Sequence, residues 1–194
     1  LGDVYKRQML KKFNMMNCRA LSTPCVSGDL AASTENTSFP LRSLVGGLQY
    51  IAHICRCDIV VAVQRVARVS TPTDAAIQAG KRILAYLKGT KSLGLEYSPK
   101  SEANFNEIYS KIARDSGKNL GDCAVFTDSD FAGCPVSLKS TSGSIMYYRG
   151  TPIVWSSKRQ SLICHDVILR ARLSMSHAMI RFVYLRLKVI LIIF

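Results

Sequence analysis

The spacing of apolar residues changes once along this chain, and that change limits the fold more than any single motif does. Between residues 41 and 89 apolar side chains recur at helical intervals. Between residues 123 and 160 they alternate as they do in strands. Helices followed by strands point to an α+β chain.

Leu44, Leu48 and Ile51, with Val45 and Ala52 beside them, predict a helix beginning near Pro40. The Gly46-Gly47 pair inside it lowers helix stability and calls for close packing or a kink. A second helix is predicted from Asp58, whose carboxylate suits the positive end of the helix dipole. It puts Ile59, Val63, Val66 and Ala67 on one face and turns Arg65 and Arg68 away. The third helix has the clearest start. In Thr71-Pro72-Thr73-Asp74 the first threonine supplies a cap hydroxyl, the proline loses nothing at the first helical position, and the carboxylate stands at the third. Ala76, Ala79, Ile83 and Leu87 form its apolar stripe, Lys81, Arg82 and Lys88 lie on other faces, and Gly89 ends it.

Residues 18–40 are rich in Ser, Thr, Asn and Pro and read as a loop. Leu93–Ser98 alternates like a short strand, and the polar residues 99–122 read as a linker. A strand at Ala124–Thr127 runs into Asp128-Ser129-Asp130. After a turn at Lys139–Gly143, strands are predicted at Ser144–Tyr148 and Pro152–Ser156, joined by Arg149-Gly150-Thr151. From Ser161 onward the pattern loses coherence, and there is no internal repeat.

Lys and Arg number 26 against 13 Asp and Glu, a formal charge of +13. The surplus is spread out: 14 basic against 6 acidic residues in the first hundred, 12 against 7 afterwards. Such a diffuse field suits a polyanion gripped along its backbone. Seven cysteines without a regular framework, and no apolar leader in Leu1–Gln8, suggest reduced thiols in an intracellular protein. Leu1–Gln8 itself reads like translated sequencing-adapter sequence and is set aside from the fold. The apolar stretch Ala178–Phe194 is broken by Arg181, Arg186 and Lys188. Its uncharged end, Val189–Phe194, is far short of the roughly 20 residues a membrane span needs, so no membrane is expected.

Three further groupings carry weaker signals. Cys55-x-Cys57 with His53 invites a zinc site, but no second ligand pair follows at a suitable spacing, which favours buried helix thiols. Cys164-His165-Asp166 has nucleophile chemistry, but sequence neighbours seldom assemble a triad. Trp155, Tyr147 and Tyr148 fit core and strand positions better than base-stacking ones.

Six phrases, in order, resemble the copia-type retrotransposon Pol polyprotein. Leu10–Pro24 (LKKFNMMNCRALSTP) resembles the segment after its polymerase palm. Leu41–Ile54 (LRSLVGGLQYIAHI), with Asp58-Ile59 and Ala62-Val63, resembles the opening of its thumb-like helices, and Ala79–Thr90 (AGKRILAYLKGT) its most recognisable helix. Phe126–Pro135 (FTDSDFAGCP), Lys139–Gly143 (KSTSG) and Pro152–Gln160 (PIVWSSKRQ) resemble the start of its ribonuclease H domain. The chain departs from the family at Cys57, where a proline is usual, and at Val136-Ser137-Leu138, where an acidic stretch is usual. Arg170-Ala171-Arg172 stands about where Glu-Ala-Glu is expected, as though the frame shifts between Leu162 and Ser174.

The resemblance implies an organisation: adapter-like residues 1–8, the end of a reverse transcriptase at 9–98, a linker at 99–122, the start of an incomplete ribonuclease H-like mixed α/β domain at 123–160, and a degenerate tail at 161–194. The polymerase carboxylates would lie upstream of Met9. The implied reaction is two-metal hydrolysis of the RNA strand of an RNA–DNA hybrid, with Mg²⁺ held by four carboxylates. Asp128 matches the first of them, as catalytic residue and metal ligand, and Asp130 is a candidate second ligand. Arg65, Arg68, Lys81, Arg82 and Lys88 lie on helices that would grip nucleic acid. With the later carboxylates replaced, the expectation is a fragment without hydrolytic activity. The alternatives are a basic nucleic-acid-binding remnant, or the translation of a decayed element with no function.

Overall fold

The computed structural model describes residues 2–25, 28–31, 33–35, 38–115, 121–130, 139–161 and, as backbone, 190–193. The chain divides into two compact units, Leu1–Gly94 and Leu95–Phe194. The architecture is mixed α+β, with five helices and one sheet among the described residues.

The first unit is helical. Helix α1 (Gly2–Lys12) contains most of the adapter-like residues that the sequence reading set aside. Its Met9 and Leu10 are buried, and Lys6 Nζ donates to the carbonyl of Lys91 at 2.7 Å. Helix α2 (Leu41–Ile54) buries Leu44, Leu48, Ile51 and Ala52, the predicted stripe. The predicted close packing falls on one glycine of its pair. A Cβ on Gly47 would stand 2.3 Å from Met9 Cε, whereas one on Gly46 would meet nothing within 4 Å. No kink is needed to explain the pair.

Two helix starts differ from the expectation. Asp58 lies in a short 3-10 turn, Cys57–Ile59, and α3 proper is Val60–Ala67. Helix α4 (Asp74–Gly89) is capped by Thr73 rather than Thr71. The Thr73 hydroxyl accepts from the Ala76 N–H at 3.2 Å and donates to the Leu30 carbonyl at 2.5 Å. Glu35 bridges to Thr73, and Asp74 N–H donates to the Thr34 carbonyl at 2.9 Å. Those long-range bonds hold Thr73 extended and leave Pro72 outside the helix. Leu93–Ser98 is not a strand.

In the second unit the expected linker contains a 17-residue helix, α5 (Pro99–Asp115). Phe105, Ile108, Tyr109, Ile112 and Ala113 follow helical spacing, and Phe105 and Ala113 are buried. Strands β1 (Cys123–Ser129), β2 (Thr141–Tyr148) and β3 (Thr151–Arg159) form an antiparallel meander, β1 and β3 longer at both ends than predicted and β2 at its start. Thr141–Gly143, expected in a turn, belong to β2. The β2–β3 turn has Arg149 and Gly150 at positive φ, 45° and 80°, which suits the handedness of a tight hairpin. Strand β4 (Ile190–Ile193), inside the expected degenerate tail, pairs parallel to β1, giving the order β3-β2-β1-β4.

The sheet packs on two sides. On one face of β1, Phe126 meets Phe105 and Tyr109 of α5 and Tyr147 of β2, with ring centroids 6.2, 5.0 and 5.6 Å away. On the other, Cys123, Val125 and Met146 cluster with Ile153 and Val154. Trp155 is buried, so it stands in the core position expected of it.

Candidate nucleic-acid interface and carboxylate site

Four of the five cations singled out in the first unit are tied to the loop that crosses α3 and α4. Arg65 donates to the Gly28 carbonyl at 2.7 Å and to Cys25 Sγ at 3.1 Å. Arg82 donates through Nε and Nη2 to the carbonyl and hydroxyl of Thr23, at 3.1 and 2.7 Å. Lys88 Nζ donates to the Cys18 carbonyl at 2.6 Å, and Lys81 Nζ sits 5.3 Å from the centroid of Phe39. Arg68 stands where α3 ends.

These named partners are carbonyls, a hydroxyl, a thiol and a ring, and none is a carboxylate. A neutral acceptor fixes a guanidinium or ammonium in place without cancelling its charge, as at Arg82 and Lys88. The first unit holds 13 Lys and Arg against 5 Asp and Glu. Its two ion pairs among the described residues are Lys6–Asp3 and Arg56–Asp58.

Sequence reading missed two features here. One is Arg19, which lines a groove of about 600 Å³ with Lys81 and Arg82. The other is a buried clamp built on Arg56, which is 1% exposed. Its Nε and Nη2 donate to both Asp58 oxygens at 2.8 and 2.7 Å, and Nη1 and Nη2 reach the Thr90 carbonyl and hydroxyl at 3.0 and 2.7 Å. Tyr86 adds its hydroxyl to Asp58 Oδ2 at 2.7 Å. Burial works against the Asp58 charge, but the hydrogen bonds from Arg56 and Tyr86 outweigh it and hold the carboxyl below its usual range. The clamp closes α4 onto the turn before α3. It is structural, with its donors and acceptors matched to one another.

The thiols beside it are packed rather than grouped. Cys55 Sγ points at the Ile51 carbonyl, burial pushes the Cys57 thiol up, and the exposed His53 bonds to the Gln49 carbonyl. Among the described residues no three His, Cys, Asp or Glu side chains could hold a metal ion. Cys164, His165, Asp166, Arg170 and Arg172 lie outside the described residues.

In the second unit Asp128 is the sixth residue of β1, exposed and opposite Gly143 of β2. Its Oδ1 accepts from the Ser129 N–H at 2.7 Å. Asp130 lies just beyond the strand. Its N–H donates to the Thr141 carbonyl at 3.1 Å and its Oδ1 accepts from the Thr141 N–H, so the carboxylate closes the end of the β1–β2 ladder. Arg159, the register partner of Thr141, stands on the same sheet face by strand alternation. Hard divalent cations need several carboxylate oxygens turned to one point. One exposed aspartate and a second engaged by a backbone N–H do not supply that set among the described residues, and a two-metal centre does not fit them.

No family model matches the chain, and no solved structure does. Curated proteins do match. An uncharacterized mitochondrial protein of Arabidopsis thaliana is 34% identical over 164 residues, covering 82% of this chain and 60% of that protein. The retrovirus-related Pol polyproteins from transposons RE2 and RE1 of the same plant are 33% and 34% identical over 161 residues, 80% of this chain. The chain spans 10% of the length of each polyprotein. Among the described residues no helix is long and apolar enough to cross a membrane. Over about four fifths of its length the chain is homologous to the retrovirus-related Pol polyproteins of copia-type retrotransposons.

Proposed function

We propose that this chain is the stretch of a Pol polyprotein in which the last helices of a reverse transcriptase lead into a ribonuclease H-like domain, and that it holds nucleic acid without cleaving it. The carrying observation is the pair of α4 cations, Arg82 and Lys88, held by the neutral carbonyls of Thr23 and Cys18 and the Thr23 hydroxyl. A polyphosphate backbone is the ligand class such a surface suits, and binding of that kind is indifferent to sequence. The mixed sheet, an antiparallel meander extended by a parallel strand beside β1, supports the ribonuclease H-like reading of the second unit. Among the described residues its carboxylates argue against hydrolysis, because Asp130 is engaged by Thr141 and the remaining donors do not fit two Mg²⁺ ions.

The test is the affinity of the full chain for an RNA–DNA hybrid as salt is raised. Six or more phosphate contacts should lower affinity by about 10³-fold or more between 50 and 200 mM salt. Affinity that barely changes over that range would reject electrostatic binding.

A further inference from the structure

We propose that Thr23 is a phosphorylation site for a proline-directed Ser/Thr kinase, and that Arg82 receives the phosphate. Four Ser/Thr-Pro dipeptides occur in the chain, beginning at Thr23, Thr71, Ser98 and Thr151. A proline steers the residue before it away from the helical region, toward the extended backbone that an enzyme cleft can take up. The surroundings of the four differ. Thr151 is 2% exposed in β3, and its hydroxyl donates to the Glu96 carbonyl at 2.7 Å. Thr71 is half-buried, two residues before the cap of α4. Ser98 is half-buried and donates to the Glu96 carboxylate at 2.9 Å, an acid that would repel a phosphate. Thr23 is exposed and lies outside any helix or strand.

The Thr23 hydroxyl also has a charged partner already in place. It accepts from Arg82 Nη2 at 2.7 Å, while Arg82 Nε donates to the Thr23 carbonyl at 3.1 Å. As an acceptor in that bond, the hydroxyl keeps its own proton for transfer. The step moves the γ-phosphoryl group of ATP. The Thr23 Oγ1–P bond forms, the anhydride bond to the β-phosphate breaks, ADP leaves, and the hydroxyl proton passes to a base of the kinase. The ester puts three acceptor oxygens and a charge of about −1.5 to −2 beside the guanidinium. Arg82 then turns Nη1 and Nη2 to two phosphate oxygens, a bidentate pair stronger than its bond to a neutral hydroxyl. Arg19 and Lys81 line a groove with Arg82, and the carboxylate among its lining residues, Asp29, accepts from the Ala31 N–H at 2.9 Å. The local field favours a dianion. The Leu21 N–H donates to the Ala85 carbonyl at 3.3 Å, so the phosphate tightens a contact that the loop and α4 already make.

The experiment incubates the full chain with a proline-directed Ser/Thr kinase and MgATP and places the phosphate by peptide mass spectrometry. The phosphate should fall on Thr23, and Thr23→Val should lose that label. Earlier labelling of Ser22, Thr71, Ser98 or Thr151 would overturn the site. So would an unlabelled native chain when the same kinase labels a peptide of residues 18–28. The part given to Arg82 is read by ³¹P NMR of the labelled chain across pH. A free phosphothreonine has its second pKa near 6. In the folded chain that value should lie lower, because the guanidinium favours the dianion. It should return to about 6 in urea, and rise in folded Arg82→Gln. Arg82→Lys, which keeps the charge, should hold part of the shift. A folded value equal to that in urea would overturn the role of Arg82, even if Arg82→Gln fails to fold.

Discussion

The two units treat their motif aspartates in opposite ways. In the first, Asp58 is half-buried and has both oxygens bonded, to Arg56 and Tyr86, while Arg82 and Lys88 of α4 are held by neutral groups. In the second, Asp128 is exposed at the end of a strand and Asp130 closes a ladder. One unit has buried its acid and presents its bases. The other presents an acid at the end of a strand, and among the described residues no group of carboxylates gathers round it to hold a metal. The difference teaches that a motif residue's place in a family pattern does not fix its work; its neighbours do.

The contrast can be broken most forcefully at Arg56. Arg56→Ala leaves Asp58 with the Tyr86 hydroxyl alone and takes the donor from the Thr90 carbonyl, and should cost about 3–5 kcal/mol, the usual penalty for halving a buried pair. The single tryptophan, Trp155, is in β3, so its fluorescence reports the second unit. Urea titration of the full chain should therefore show the variant's helical signal at 222 nm melting early while the tryptophan transition holds its midpoint. Coincident early melting by both probes would mean that the units are not separate in stability.

Gly150→Ala should do the reverse. At φ 80° an alanine costs roughly 1–2 kcal/mol for its left-handed backbone. Its Cβ would also stand 2.6 Å from the Ser101 carbonyl oxygen, an overlap costing a further 1–3 kcal/mol or so. The tryptophan transition should move and most of the helical signal should not.

A smaller effect separates the two acids by pH. The Asp58 carboxyl is lowered in the folded state, so its contribution is complete above the unfolded value near 3.9 and disappears as pH falls through the folded value. The helical transition should weaken below about pH 4, and Asp58→Asn should remove that part of the acid sensitivity. The smallest change expected is a gain. Gly46→Ala meets open space in α2 and should stabilise the first unit by about 0.5–1 kcal/mol, measured as a rise in urea midpoint.

How far the sequence discloses this structure depends on where each signal comes from. Helices α2 and α4 and the three meander strands are legible because their apolar periods are local and unbroken. Helix α5 is not, because its Ser, Asn, Lys and Glu mask the spacing of Phe105, Ile108, Tyr109, Ile112 and Ala113, which only the aromatic contacts with Phe126 and Tyr147 make decisive. The cap at Thr73 needs Leu30, some forty residues away, and the clamp needs Thr90 to close on Arg56. Helix α1 is not legible, because Leu1–Gln8 lacks an apolar core. At the candidate sites the cations of α3 and α4 could be named from their helices, but their bonding to the loop, and Arg19 beside them, belong to tertiary structure. That Asp130 would turn to Thr141 rather than to a metal likewise could not be read from Asp-Ser-Asp.

The central claim, a chain that grips nucleic acid and does not hydrolyse it, is tested most directly by incubating the full chain with an end-labelled RNA–DNA hybrid in Mg²⁺ at low salt and resolving bound complex and products. The account predicts a retained, salt-sensitive complex with the RNA strand intact. Turnover of the RNA strand that Asp128→Asn abolishes would contradict it.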